Sequence, residues 1–208
     1  MIAENPLAGL NLIGGRLSLE FVNTVDTHDT RIDDKLNRYA DLVWWALRVG
    51  MMDEAAAAPL FARAEAEPAA AADVFARALE LREALYRVFV GARASDGAPD
   101  DADLAVLNRE LPRALGWLRV RAADGGFAWG WEDAAELDRI LWPVARDAAE
   151  LLVSGDLARV GKCCGESCDW LYLDTSRNRS RRWCDMQSCG NRAKARRHYH
   201  RAKGGAGA

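Results

Sequence analysis

From Leu36 the apolar side chains fall at helical spacing: Leu36, Tyr39, Ala40, Val43, Trp44 and Leu47 occupy i, i+3, i+4, i+7, i+8 and i+11, and the run stops at Gly50. This spacing predicts an amphipathic helix closed by a glycine. Asp53 stands where a cap belongs for an alanine-rich helix that contains Pro59 and ends before Pro68. Beyond it, Val74, Ala78, Leu81, Leu85, Val88 and Phe89 mark a longer helix. A loop over residues 95–103, with Gly97 and Pro99, leads to Asp100 or Asp101 as the cap of a helix bearing Leu104, Leu107, Leu111 and Leu115.

The period then changes. Residues 117–121 and 127–131 alternate around Asp124-Gly125-Gly126, which predicts a β-hairpin whose tryptophans can wall a pocket. A further helix is expected from near Asp133, with Leu137, Ile140, Leu141, Val144, Ala148, Leu151 and Leu152 on one face and Pro143 either kinking it or lying in its first turn. Ser154-Gly155-Asp156 ends it, and residues 155–161 are the expected domain joint. The opening stretch, residues 10–29, fits strand alternation and helical spacing equally well in its Leu17, Leu19, Phe21, Val22 and Val25 positions. Its polar cluster Asn23, Thr24, Asp26, His28 and Asp29 reads first as caps, turns and a solvated face. A ligand pocket is the second reading, with Arg16, Asn23, Asp26, His28, Trp117 and Trp129 as its candidate lining.

Composition changes the picture through its distribution. The net charge of −3 divides into 12 Lys and Arg against 4 Asp and Glu over residues 159–208, leaving 16 against 27 over residues 1–158. A basic segment beside an acidic body is the footprint of a nucleic-acid-binding module joined to something with another task; the alternative is that the halves pair with one another. No run of 18 apolar residues and no basic, apolar leader pattern occurs, so no membrane span or signal peptide is expected and the chain reads as cytoplasmic.

All five cysteines lie within residues 163–189, four of them as Cys163-x4-Cys168 and Cys184-x4-Cys189. Two short thiol pairs separated by a loop match a structural zinc site, in which four sulfurs close the coordination sphere and leave no position for a reacting water. Cys164 is the spare thiol, offering a competing Cys-x3-Cys spacing and leaving a redox or alternate-ligand role open, and His198 and His200 are not needed as ligands. An odd count of clustered thiols without a leader argues against disulfides.

Arginine surrounds these thiols. Trp170-Leu171-Tyr172-Leu173 reads as a strand, followed by a turn bearing Arg177, Arg179, Arg181 and Arg182 and, after Gly190, a helix with Asn191, Arg192, Lys194, Arg196, Arg197 and Arg201. At 100° per residue, Ala195, Tyr199 and Ala202 form a stripe that would pack on the zinc knuckle, placing Lys194, Arg197 and Arg201 opposite it. Arginine forks suit phosphate oxygens and the guanine edge, so these residues are the candidate DNA contacts. An RNA-binding or protein-interaction finger is the alternative, with Trp170 and Tyr172 as stacking rings.

The string Arg181-Arg182-Trp183-Cys184 with Cys189-Gly190-Asn191-Arg192-Ala193-Lys194 resembles the bacterial CGNR zinc-finger family, and the likeness extends back through Asp174-Thr175-Ser176-Arg177-Asn178 to the first cysteine pair. Gly14-Gly15 and Leu19-Glu20-Phe21-Val22-Asn23-Thr24 resemble the opening of the ABATE domain that accompanies this finger in proteins described as stress-induced transcription regulators. The resemblance implies a DNA-binding regulator whose acidic helical domain senses a small molecule or a protein partner, with the four paired cysteines as zinc ligands and Asn191 and Arg192 organising the finger or touching DNA.

The expectation is a mainly α chain: a helical N-terminal domain with one β-hairpin over residues 1–156, a small treble-clef-like zinc finger over residues 157–203 and a disordered tail over residues 204–208. No nucleophile–base pair, phosphate loop or open metal motif is present, so an enzyme is not expected. Homodimerisation is compatible with this plan.

Overall fold

The computed structural model describes residues 4–30, 33–93, 100–132 and 135–204, without the side chains of residues 200–204. The expected helix start at Asp133, most of the loop over residues 95–103, the Arg201 side chain and residues 205–208 of the expected tail lie outside the described parts.

The ambiguous opening stretch is a helix, α1 (Leu17–Val22), followed by α2 (Tyr39–Arg48), α3 (Glu54–Ala66), α4 (Pro68–Gly91) and α5 (Asp101–Leu115). An antiparallel hairpin of β1 (Leu118–Ala123) and β2 (Gly126–Trp131) comes next, then a 3₁₀ turn, Leu137–Ile140, which runs into α6 (Leu141–Val153). Pro143 lies in the first turn of α6, where the N–H it lacks would have had no helical partner. Asp53 and Asp100 cap α3 and α5 by accepting from the N–H groups of Ala56 and Ala102 at 2.9 Å each. Asp147, on α6, does the same for α1 from across the core: its carboxylate accepts from the Ser18 N–H at 2.8 Å, the Ser18 hydroxyl at 2.6 Å and Arg16 Nε at 2.9 Å.

The long α4 is the central element and packs against α1, α2, α3, α5 and α6. Its Leu81, Ala84, Leu85, Val88 and Phe89 are buried beside Leu19, Phe21, Trp45 and Ile140. Arg82, on the same helix, is fully buried and forks onto Asp34 with two 2.8 Å bonds, with Thr24 Oγ1 a further 3.1 Å acceptor. A charge at that depth persists only because every direction of the guanidinium is met. The hairpin docks through Trp142 of α6, which stacks on Trp117 with centroids 5.1 Å apart and meets Trp131 at 6.0 Å.

After α6 a 3₁₀ turn, Gly155–Arg159, leads to β3 (Val160–Lys162), which pairs antiparallel with β4 (Leu171–Leu173). The strand expected over residues 170–173 is β4, and β3 precedes the first cysteine pair, so the knuckle is the loop of its own hairpin. A π-helical turn, Met186–Gly190, then starts α7 (Asn191–Gly204). Val160 and Leu171 belong to the same core as the helices, so the hairpin under the cysteines is packed directly onto the helical body.

Candidate metal centre and its basic surround

The knuckle is fixed to the helical body by backbone bonds at both strand edges. Asn23, at the end of α1, donates its Nδ2 to the Leu171 carbonyl and accepts the Leu171 N–H on Oδ1, each at 2.8 Å. Leu173 donates its N–H to the Gly14 carbonyl at 2.8 Å, Asp169 to the Asp26 carbonyl at 2.8 Å, and the Trp170 indole to the Val25 carbonyl at 3.0 Å. Gly14 and Gly15 are held in turn by Glu20, whose carboxylate accepts from the N–H groups of Ile13 and Gly15 at 3.2 and 3.0 Å. Gly15, at φ 79°, adopts a backbone that favours glycine.

On this platform the sulfurs of Cys163, Cys168, Cys184 and Cys189 all lie within 4.8 Å of one another and all four residues are buried. Cys168 and Cys184 are 3.6 Å apart, and Cys184 and Cys189 3.5 Å. A zinc–sulfur bond of about 2.3 Å in a tetrahedron sets an edge of about 3.8 Å, so the donor set and spacing fit structural Zn²⁺. Cys164 stands outside the cluster, exposed, with its N–H donated to the Arg182 carbonyl at 2.9 Å. The pairing is therefore Cys163 with Cys168. Without a cation the four clustered thiols oppose one another's ionisation: hydrogen bonds from Cys168 and Cys184 pull Cys163 well down, while the same bond to Cys163 pushes Cys168 up. Zinc supplies the charge that lets all four be thiolates.

Protein donors already support those sulfurs. The Gly165 N–H points at Cys163 Sγ at 3.4 Å, and Arg192 Nη2 donates to Cys189 Sγ at 3.1 Å. Asn191 donates to the Gln187 carbonyl at 3.1 Å, tying the start of α7 to the π-helical turn. Arg181 is likewise turned inward: its guanidinium lies 4.2 Å from the centre of the Tyr172 ring and donates to the Trp183, Cys184 and Ile13 carbonyls. It supports the second cysteine pair and is a correction to the expected set of phosphate contacts. Arg177, Arg179 and Arg182 are exposed on the loop, as are Lys194 and Arg197 on α7.

The packing face of α7 also differs from the expected one. Ala195 and Tyr199 are exposed, whereas Ala193 and Arg196 are half-buried. The register follows from the covalent demand of Cys189 just before the helix, which aims the Arg192, Ala193 and Arg196 side of α7 at the knuckle, where Arg196 pairs with Glu166. A cavity of about 280 Å³ results, lined by Cys164, Arg182, Trp183, Arg192, Arg196 and Arg197 among others.

The six residues offered as a pocket lining are not gathered around one cavity. Arg16 is bound to Asp147, Asn23 to Leu171, and Trp117 to Trp142. Trp129 is exposed, with Arg146 over its ring at 5.3 Å. His28 is buried, stacked on Tyr86 with centroids 3.6 Å apart, and its Nδ1 meets Glu83 at 2.7 Å. Asp26 alone of the six lines the cavity beside the cysteines, and burial pushes its carboxyl above the ordinary range. Sequence reasoning passed over Glu20, Glu83, Lys162 and Asp169. Only Glu20, inside the family-like opening string, carried a signal; the others serve contacts about α4 and the knuckle, such as Glu83 with His28 and Lys162 with Tyr86, that join residues far apart in sequence.

The ABATE family model, described as a putative stress-induced transcription regulator, matches residues 15–155. The CGNR zinc finger model matches residues 159–202. No curated protein matches the chain. Among the described residues no helix is long and apolar enough to cross a membrane.

Proposed function

The chain belongs to the ABATE family and carries a CGNR zinc finger after the ABATE region, and on that premise we propose that it regulates transcription by binding DNA through the zinc-ordered basic surface under control of the helical body. One observation carries the reading: Arg182 from the loop and Arg192, Arg196 and Arg197 from α7 meet around a single cavity at the cysteine cluster. Arg177, Arg179 and Arg182 on the loop and Lys194 and Arg197 on α7 are exposed. Guanidinium groups from two elements, spaced by a metal site, suit the two rails of phosphates along a groove. The rings that would stack unpaired bases in the RNA alternative, Trp170 and Tyr172, are buried against the body, which favours duplex DNA over single strands.

The control half rests on the direct packing of the knuckle on α1 and α4. Lys162 on β3 binds Tyr86 of α4 and Asp169 of the knuckle at 2.7 Å each, so a shift of α4 is felt at the cysteines. The test is DNA binding across a salt series with zinc-loaded protein. Five phosphate contacts predict a log–log slope of about −4.5. Failure to bind any duplex at low salt with zinc present would refute the reading, and tighter binding to structured RNA would replace it with the alternative.

A further inference from the structure

A second cavity, of about 410 Å³, opens between the N-terminal segment and the cysteine cluster. Its walls come from the N-terminal segment and the stretch after α1 on one side, Leu10, Ile13 and Asp26, and from the finger on the other, Trp170, Asp185 and Arg192. A volume of this size, with apolar side chains, charged groups and the Cys168, Cys184 and Cys189 edge of the cluster in its walls, is that of a small-molecule site. Arg192, Cys168 and Cys189 also line the arginine-rich cavity, so they form the shared wall of the two.

The charges in the cavity are unequally satisfied. Lys35 is paired with Asp33. Arg192 is committed to Cys189 Sγ at 3.1 Å, and Asp185 accepts the Ser188 N–H at 2.9 Å as the cap of the π-helical turn. Among the described residues no basic side chain forms an ion pair with Asp26, although it is partly buried at the cavity edge beside Trp170. Its carboxylate faces the Trp170 indole and feels the charges of Lys35 and Arg192, but those two cations are bound to Asp33 and to Cys189.

We propose that this cavity binds a small organic cation, a primary amine or guanidinium carried on an apolar body, with Asp26 taking the charge and Trp170, Leu10 and Ile13 taking the body. The assignment names a ligand class for the sensing half of the proposed function. A cation held at Asp26 would act on Arg192, and through it on the arginine-lined cavity. The binding measurement itself uses no DNA, so its failure and the failure of DNA recognition are distinguishable.

The test is titration calorimetry of the zinc-loaded full chain with three probes that share a ring: 2-phenylethylamine, phenylalanine and 3-phenylpropionate. The amine is expected to bind, the zwitterion more weakly and the anion least. Asp26→Asn keeps the shape of the side chain and removes its charge, and should weaken the amine by about tenfold or more, while Asp26→Glu retains it. If Asp26→Asn misfolds, as judged by zinc content and circular dichroism, the amine must still shift the resonances of the Trp170 indole and of the Gly9 amide, which also lines the cavity, in the unaltered protein. Equal or tighter binding of the anion, undiminished amine binding by folded Asp26→Asn, or no binding of 2-phenylethylamine at millimolar concentration would each overturn the proposal.

Discussion

Asn23 holds Leu171 by both ends of its backbone, giving Nδ2–H to the carbonyl and taking the N–H on Oδ1, each at 2.8 Å. One side chain thus replaces a neighbouring strand for β4, at a point that is buried on both sides. Asn23→Ala leaves a buried N–H and a buried C=O without partners. At about 1–3 kcal/mol for each orphaned group, discounted for relaxation, the loss of stability should be about 2–4 kcal/mol. Urea unfolding checks this, and a change below about 0.5 kcal/mol would show that water replaces the amide without loss.

Metal removal is expected to act on only part of the finger. Structural zinc contributes about 10–16 kcal/mol of apparent binding free energy in small fingers, so Cys184→Ser or chelation should open residues 163–168 and 184–199. Leu171 and Leu173 are held by Asn23 and Gly14 and Leu171 by the main core, so β4 and helices α2, α4 and α6 should keep their hydrogen-exchange protection. Protection lost uniformly through α4 would show that the metal site is needed by the whole chain.

Acid should loosen the contact between α4 and the knuckle. Glu83 is pushed up by burial, but the hydrogen bond from His28 and the charge of Arg82 outweigh this and hold it below its ordinary 4.5. Asp169 is treated alike, its burial outweighed by Lys162 and the His28 N–H, and lies below 3.8. A carboxyl depressed in the folded state contributes stability that is present above its unfolded value and lost as pH falls through the folded one. Stability should therefore decline below about pH 4.5. Glu20 works in the opposite sense: burial lifts it above 4.5, so protonation relieves rather than costs. The urea midpoint measured at neutral pH and near pH 4 should fall less in Glu83→Gln than in the unaltered protein; an identical fall in both would remove Glu83 from this account.

Much of this arrangement was legible in the chain because it is local. The helices from Leu36 onward, the hairpin around Asp124-Gly125-Gly126 and the four-sulfur set follow from period, turn chemistry and spacing within short windows. What escaped the sequence depends on distant partners. Nothing near Asn23 announces that its amide serves a strand at Leu171, and nothing near Asp147 that it caps α1. The α7 stripe was misjudged for a related reason: Ala195 and Tyr199 have the right spacing for packing, but Cys189 fixes the rotation of the helix and turns Ala193 and Arg196 inward instead. For the same reason the six residues offered, as a second reading, for one pocket are divided among separate tasks once Trp142, Asp147 and Leu171 are in place.

The four loop arginines should separate into two kinds. Arg181 lies over Tyr172 and donates to three carbonyls, and its own N–H goes to Asp174 Oδ2 at 3.0 Å. Arg181→Ala would leave those carbonyls short of a charged donor and should cost about 1.5–3 kcal/mol in stability, weakening DNA binding only through loss of zinc retention. Arg177, Arg179 and Arg182 are exposed and lack such bonds from their guanidinium groups in the described structure, apart from Arg182 over the Trp183 ring at 5.9 Å. Each of these replaced by alanine should leave stability within about 0.5 kcal/mol and reduce the salt slope of DNA binding by about 0.9. Measuring thermal unfolding and the salt slope on the same set of variants tests both halves at once: a stable Arg181→Ala protein with a reduced slope would place Arg181 on the nucleic acid and contradict the inward role its contacts give it.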